Sequence, residues 1–246
     1  TAGTFTTNVV KAAPVKSDKE VLYQHPHAQP IVCNSGEANA CTGAEGYGYC
    51  KEMADTTAKE LGIDPDSVLV ASTGVIGVQL PMDAITKGIK MLTPVLSSSL
   101  EAGGEAAEAI MTTDTQKKEV AVEVEIGGKK VIIGGMCKGS GMIHPNMCTM
   151  LSFLTTDAAI SKEMLQEALS EDIKDTYNMI SVDGDTSTND SVLLLANGQA
   201  ENEEIKEKNE DYQKFKKALN YVNTFQAKAI AGDGEGCTAL FEVTVK

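Results

Sequence analysis

Residues 118–138 constrain the fold more than any other stretch of this chain. Val120, Val122, Val124 and Ile126 alternate with Ala121, Glu123 and Glu125, which is the period of a strand with one buried face. Gly127-Gly128 then reverses the chain into Val131-Ile132-Ile133, so the segment reads as a β-hairpin. Further strands are expected at 68–71, 180–182, 192–195 and 240–245. Helical spacing appears at Met82, Ile85, Ile89 and Leu92, with Pro81 in the favoured first turn. A second helix is expected to begin near Ser161, with Ile160 and Leu165 closing a hydrophobic staple over its cap. The longest helix is expected near 204–230, its buried stripe carried by Tyr212, Phe215, Leu219, Val222, Phe225 and Ala229. Strands in pairs with helices between them indicate a layered α/β (α+β) architecture, not a helical bundle.

At 246 residues the chain can bury a sizeable core, as one large domain or two small ones. It is 42% hydrophobic and 23% charged, the make-up of a soluble globular protein. A formal charge of −14 argues against nucleic acid and against an anionic membrane surface as partners. The six cysteines include no C-x-x-C pair and read as reduced thiols of a cytoplasmic protein. No signal peptide or membrane span is legible, and with no initiator methionine the simplest expectation is that the sequence starts inside a longer protein.

Five segments bear on chemistry. In Lys138-Gly-Ser-Gly-Met-Ile-His-Pro-Asn-Met-Cys148-Thr149, a threonine stands between a glycine- and proline-shaped turn and an apolar run. Within a continuous chain its hydroxyl has no base. Were the Cys148–Thr149 bond cut, the new α-amine, with a pKa of about 7.7–8.0, would be a general base beside the hydroxyl. A threonine that merely opens a strand is the competing reading. Val68 to Gly77 reads as a strand entering a small-residue turn at Ser72-Thr73-Gly74, then a helix. Such a turn can offer backbone N–H groups to an oxyanion, although most are only turns. Asp183 to Asp190 lacks the spacing of an EF-hand and reads as a turn rich in side-chain-to-backbone bonds. His25-Pro26-His27 reads as a surface loop, and Asp233-Gly-Glu235-Gly236 either as a plain turn or as a way of aiming a carboxylate into a cleft.

Together these segments resemble the ornithine acetyltransferase (glutamate N-acetyltransferase) family of arginine biosynthesis. The resemblance runs nearly end to end, through Phe5–Asn8, Asn34–Gly43, Ala71–Gly77, Ile110–Thr115, Lys138–Leu151, Thr155–Asp157, Val182–Asp190 and Gly232–Gly236. It implies a self-processing acyltransferase fold and a cut between Cys148 and Thr149. Residues 1–148 would then form an α chain, and residues 149–246 the N-terminal part of a β chain. Thr149 is implied as nucleophile, Thr73 and Gly74 as the oxyanion hole, and Thr112, Lys138, Thr149 and Glu235 as substrate contacts. Lys138 would offer a cation to a substrate carboxylate and Glu235 an anion to a substrate amine. The reaction implied moves acetyl from N2-acetylornithine to glutamate through an acetyl-threonine. It involves no metal or other cofactor, leaves acetyl-CoA open as a second donor, and belongs to an associated αβ pair that assembles further, as in (αβ)2.

Three departures stand out. Cys148 occupies a position where alanine is common, and Glu37 one where asparagine is usual. The family's C-terminal region, with an Asn and a Ser that contact substrate, is missing, as are its first residues. A self-processing amidohydrolase or aminopeptidase, and a fragment without catalysis, are the alternatives that these observations leave.

Overall fold

The computed structural model describes residues 1–144 and 150–245. Seven strands and six α-helices are found among them: β1 (Ala2–Phe5), α1 (Ala13–Gln24), β2 (Ile31–Glu37), α2 (Gly43–Leu61), β3 (Leu69–Val75), α3 (Met82–Leu92), α4 (Leu100–Ala109), β4 (Lys118–Ile126), β5 (Lys129–Lys138), β6 (Leu151–Thr156), α5 (Lys162–Asp172), β7 (Ser191–Ala196) and α6 (Glu210–Gly232). The expected hairpin is β4–β5, with Ile126 opposite Lys129. Gly127 and Gly128 both have positive φ, 57° and 73°, as a two-residue turn matching the strand twist requires.

The strands form two sheets. Five lie in the order β1-β7-β6-β5-β4, and β2 and β3 form a parallel pair. Alternation along each strand sends successive side chains to opposite faces, and the burial follows it. Val192 and Leu194 of β7 and Leu154 of β6 join α5 and α6 in one apolar cluster, through Leu165, Leu169, Phe215, Leu219 and Val222. Leu193, Leu151 and Phe153, on the opposite face, meet Leu69 and Ala71 of β3 and Val15 and Leu22 of α1. Val70 of β3 then turns to Met53, Ala54 and Ala58 of α2. The architecture is therefore layered helix–sheet–sheet–helix, as the alternating segments imply.

Local signals place the helix ends. Ser161 caps α5, its hydroxyl accepting the Met164 N–H at 3.3 Å, and Ile160 and Leu165 share the cluster beneath it. Pro81 sits at the cap of α3, one residue before the expected first turn. The long helix starts at Glu210, later than expected, with Asn209 accepting the Tyr212 N–H.

The α6 stripe also turns. Phe225 is 44% exposed, while Asn223 and Gln226 are buried. The core there is polar: Tyr177 donates to Gln226 at 2.6 Å and Ser152 donates to the same oxygen at 2.7 Å. The Gln226 oxygen is thereby satisfied, although its buried Nε2 has no partner among the described residues, so the stripe follows hydrogen bonding as well as hydrophobicity.

Two expected strands do not form. Residues 180–182 are an extended lead into the Asp183 turn, tied by the Val182 N–H to the Ile143 carbonyl. Residues 240–245 have strand composition, but Phe241, Val243 and Val245 are 83–91% exposed with no strand beside them. A period-two pattern specifies a face; a strand also needs a partner for its backbone. No helix among the described residues is long and apolar enough to cross a membrane.

One side chain joins the two sheets at the end of the molecule discussed next. Asn189, just before β7, donates from its Nδ2 to the Ala38 carbonyl at 2.5 Å and to the Ser72 carbonyl at 2.8 Å. Asn189→Ala leaves both buried carbonyls without that donor, at about 1–3 kcal/mol for each unsatisfied group. Chemical denaturation should therefore show a loss above 1 kcal/mol; wild-type stability would mean that water or a neighbour takes over both bonds.

Candidate active site

Three strand ends and one loop bring the reactive side chains together. Lys138, the last residue of β5, is only 3% exposed. Its ammonium donates to Thr112 Oγ1 at 2.8 Å and to Thr73 Oγ1 at 3.3 Å. Thr112 lies in the loop after α4, and Thr73 near the end of β3. In the β5–β6 register Lys138 stands opposite Leu151. The residue before Leu151, Met150, donates its N–H to Asp190 Oδ1 at 2.9 Å. Cys148 and Thr149, the sequence candidates for cleavage site and nucleophile, lie outside the described residues.

Beneath Lys138 runs a buried chain of charges. Asp114 Oδ1 accepts from Lys118 Nζ and from the Gly139 N–H, both at 2.7 Å. Its Oδ2 accepts the Thr112 N–H at 3.2 Å and lies 3.9 Å from Lys138 Nζ. Lys118 continues to Asp233 Oδ2 at 2.6 Å. Asp233 also accepts the Thr115 N–H at 3.0 Å and the Thr115 hydroxyl. Burial alone would raise the Asp114 carboxyl; the Gly139 N–H, the Lys118 ammonium and Lys138 outweigh it and hold it below its ordinary value. Asp233 is lowered in the same way, burial being overcome by Lys118 and Thr115. Lowered carboxylates stabilise the fold above their unfolded value of 3.8. That contribution is lost as pH falls through the folded values.

Burial depresses Lys138, with Asp114 opposing the shift. Burial likewise pushes the nearby Cys33 thiol up to about 12, against the pull of Lys138. Asp190 is fully buried and raised well above the carboxylate range, first by burial and despite the Met150 N–H and Lys138. Burial thus favours the neutral forms of Cys33 and Asp190, whereas the hydrogen bonds and cations around Asp114 favour its carboxylate beside Lys138.

Thr73 and Gly74 are not in a turn, as the sequence alone suggests. They are the last pairs but one of the parallel β2–β3 ladder, opposite Ser35 and Gly36, and the turn follows Val75. The Leu69 N–H points to β2's side, to the Pro30 carbonyl, while the Val70 N–H points away to Asp18. Alternation therefore directs the Gly74 N–H off the open edge of β3. Thr73 Oγ1 accepts from Lys138 and keeps its own proton to donate. A backbone N–H and a hydroxyl side by side can hold a developing oxyanion. Gly74 has φ 132°, and a Cβ there would stand 2.0 Å from the Gly36 carbonyl oxygen, so the close approach admits only glycine.

Glu235 reaches the same end of the molecule. Its N–H donates to the Ser140 carbonyl at 2.7 Å, and its carboxylate overlies Gly141, where a Cβ would come within 2.6 Å of it. The side chain is exposed and no strand follows it. Asp183 makes the expected turn, accepting the N–H groups of Met142, Ile143 and Asp185. That turn braces the segment after Lys138. His25 and His27 lie on a surface loop, and no group of three His, Cys, Asp or Glu able to hold a metal occurs among the described residues. Cys33, Cys41, Cys50, Cys137 and Cys237 form no disulfide. A cavity of about 530 Å³ between α5 and α6 shares no residue with this site.

Sequence reasoning brought Thr73, Gly74, Thr112, Lys138 and Glu235 to notice, and the structure gathers them at one end. It did not single out Asp114 or Lys118, which the structure places beneath Lys138. Asp114 lies in the loop after α4, inside the matching segment Ile110–Thr115, and Lys118 opens β4; locally they show only a charged pair four residues apart.

The ArgJ family model matches residues 1–246. The arginine biosynthesis bifunctional protein ArgJ 1 of Clostridium acetobutylicum is 57% identical over 99% of this chain and 59% of that protein. The arginine biosynthesis bifunctional protein ArgJ of Thermotoga neapolitana is 52% identical over 100% of this chain and 61% of that protein. The chain thus spans about three fifths of the length of these relatives. Among solved structures, the arginine biosynthesis bifunctional protein ArgJ of Bacillus halodurans is similar with a TM-score of 0.56 and 42% identity. The ornithine acetyltransferase of Mycobacterium tuberculosis, solved in complex with ornithine, gives 0.50 and 35%. Each alignment covers 59% of this chain and 75% of that one.

Two glycines separate backbone strain from steric conflict here. Gly36 and Gly74 have similar φ, 127° and 132°, but only at Gly74 does a Cβ meet backbone. Gly36→Ala should cost about 1–3 kcal/mol of strain, and Gly74→Ala clearly more, by denaturant unfolding. Equal losses would mean that the β2–β3 approach relaxes freely.

Proposed function

The chain belongs to the ArgJ family, and from that premise we propose that the protein containing it transfers the acetyl group of N2-acetylornithine to glutamate, after cutting itself between Cys148 and Thr149. The observation that carries the reading is the convergence of the Lys138 ammonium with the Thr112 and Thr73 hydroxyls at the mouth of the strands, beside Glu235. It provides a cation for a carboxylate, an anion for an amine and two oxyanion donors.

The order of strands supports the processing step. Residues before 148 supply β1, β4 and β5, and residues after it supply β6 and β7, interleaved in one sheet. β7 pairs with β1, and β6 with β5. A cut at 148/149 therefore leaves two chains that share ladders and core. Their separation would expose a contiguous apolar interior, so they stay associated.

On this reading the Thr149 hydroxyl attacks the acetyl carbonyl, and its proton passes through the α-amine to the departing α-nitrogen of ornithine. The amide C–N bond breaks and an acetyl-threonine ester remains. The glutamate amine then attacks that ester, the C–O bond breaks, and the hydroxyl recovers a proton. Both tetrahedral intermediates place an oxyanion toward the Thr73 hydroxyl and the Gly74 N–H. One such donor is worth roughly 2.7–4 kcal/mol. Lys138 receives the substrate carboxylate, and Glu235 the side-chain amine of ornithine. Acetyl-CoA serves as a second donor if the bifunctional character named for the relatives extends to this protein. The compartment on this reading is the cytoplasm.

Intact-mass analysis of the complete protein tests the first step. Two chains, the second beginning at Thr149, are the expected result, and Thr149→Ala should leave one uncut chain. A cut at the same bond in that variant would exclude Thr149 as the group that opens it.

A further inference from the structure

The charged chain Asp114–Lys118–Asp233 has no reacting atom of its own in the transfer just described. Yet Asp114 bonds to Thr112 and lies beside Lys138, and Lys118 links it to Asp233, two residues before Glu235. We propose that Asp114, with Lys118 and Asp233 behind it, positions the substrate-binding groups Thr112, Lys138 and Glu235 as one unit; this rests on the acetyl-transfer reading of the site.

Asp114 is the hub. One carboxylate oxygen holds the Gly139 N–H, directly after Lys138, and the other holds the N–H of Thr112 itself. Thr112 Oγ1 in turn accepts from Lys138. The lysine is thus fixed from its own backbone side and from its side-chain end by a single carboxylate. At 3.9 Å, Asp114 Oδ2 is an ionic neighbour of Lys138 and not a hydrogen-bond acceptor. With Thr112 and Thr73 as its acceptors among the described residues, the ammonium keeps a third donor for an incoming carboxylate.

Lys118 carries the register onward. It joins Asp114 at 2.7 Å to Asp233 at 2.6 Å, all three side chains being 0–3% exposed. Asp233 closes α6 and stands two residues before Glu235, whose N–H is held by Ser140. Ser140 also shares a hydrogen bond of 2.7 Å with Thr113, next to Thr112. The Lys118–Asp233 and Thr115–Asp233 contacts cross the proposed cut, from residues before 148 to residues after it. Positioning therefore survives processing without a covalent link.

The titratable groups facing Lys138 are Asp114 from the loop after α4, Cys33 from β2, Lys118 from β4 and Asp190 just before β7. Among them Asp114 is the one carboxylate held below its ordinary range, so it favours the ammonium most. Removing its charge must lower the pH at which Lys138 loses its proton.

The test uses the complete, processed protein and N-acetylornithine plus glutamate as substrates. Asp114→Asn keeps the shape and one acceptor. It should raise KM for N-acetylornithine roughly tenfold, the worth of one charge-assisted hydrogen bond. It should also move the alkaline limb of kcat/KM down by about one pH unit. Asp233→Asn, which leaves Lys118 paired with Asp114, should raise KM through Glu235 without moving that limb. A purely structural role predicts lower melting temperatures with KM and limb unchanged in the folded fraction, and that result overturns the proposal. If Asp114→Asn does not fold, Asp233→Asn decides: a raised KM at unchanged kcat supports positioning, and wild-type kinetics overturn it. A wild-type protein without transfer activity would refute the functional reading itself, whereas an active wild type with unaltered variants refutes only the inference.

Discussion

The Asp114–Lys118–Asp233 contact is the constraint on which this end of the molecule depends. Charges taken from water cost several kcal/mol each, and only close partners offset that cost. Here Lys118 lies 2.6–2.7 Å from a carboxylate on either side, and Asp114 and Asp233 accept three further backbone N–H groups between them, from Gly139, Thr112 and Thr115. An apolar trio of equal volume could be as stable, but it would not fix the directions of those N–H groups. What the ions supply is geometry: the end of β5, the loop after α4 and the end of α6 are set relative to one another by directional bonds.

The layers explain why such precision is available there. Three apolar clusters stack through the molecule, and the strands between them alternate sides residue by residue. Lys138, at the end of β5, falls on the face that Met136 turns to the sheet-to-sheet cluster and is itself buried, so its charge must be met by Thr112, Thr73 and Asp114. Asn189 ties the β2–β3 pair to the larger sheet at that same end. Thr73 and Gly74 on one sheet and the Lys138 ammonium on the other are thereby held across a sheet-to-sheet interface.

Much of this was legible in the sequence, for identifiable reasons. The β4–β5 hairpin carried both alternation and a Gly-Gly turn, two signals that agree. The α5 start carried a cap and a staple. Thr73, Gly74, Thr112, Lys138 and Glu235 were found through motif resemblance, and their composition alone would not have distinguished them from turns. Other features were hidden. In α2, Gly43, Gly46 and Gly48 in the first turns mask the helical pattern, although Gly62 closes it in a left-handed conformation at φ 69°. Residues 240–245 read as a strand because composition reports a preferred face and says nothing of a neighbour. Phe225 was assigned to the buried side of α6 because periodicity cannot see that Asn223 and Gln226 are claimed by Tyr177 and Ser152. The ion chain was invisible because Asp233 is 115 residues from Lys118, and no local pattern encodes a contact of that separation.

The central claim is that acetyl passes through the protein, on the hydroxyl of Thr149, before it reaches glutamate. Mass spectrometry of the chain beginning at Thr149, after incubation with N-acetylornithine and no glutamate, tests it most directly. The account predicts a single acetyl adduct on that threonine's oxygen, which disappears when glutamate is added and N-acetylglutamate forms. Loss of the adduct to water alone, with glutamate making no difference, would instead identify a hydrolase. Normal transfer with no adduct at any time would contradict the account.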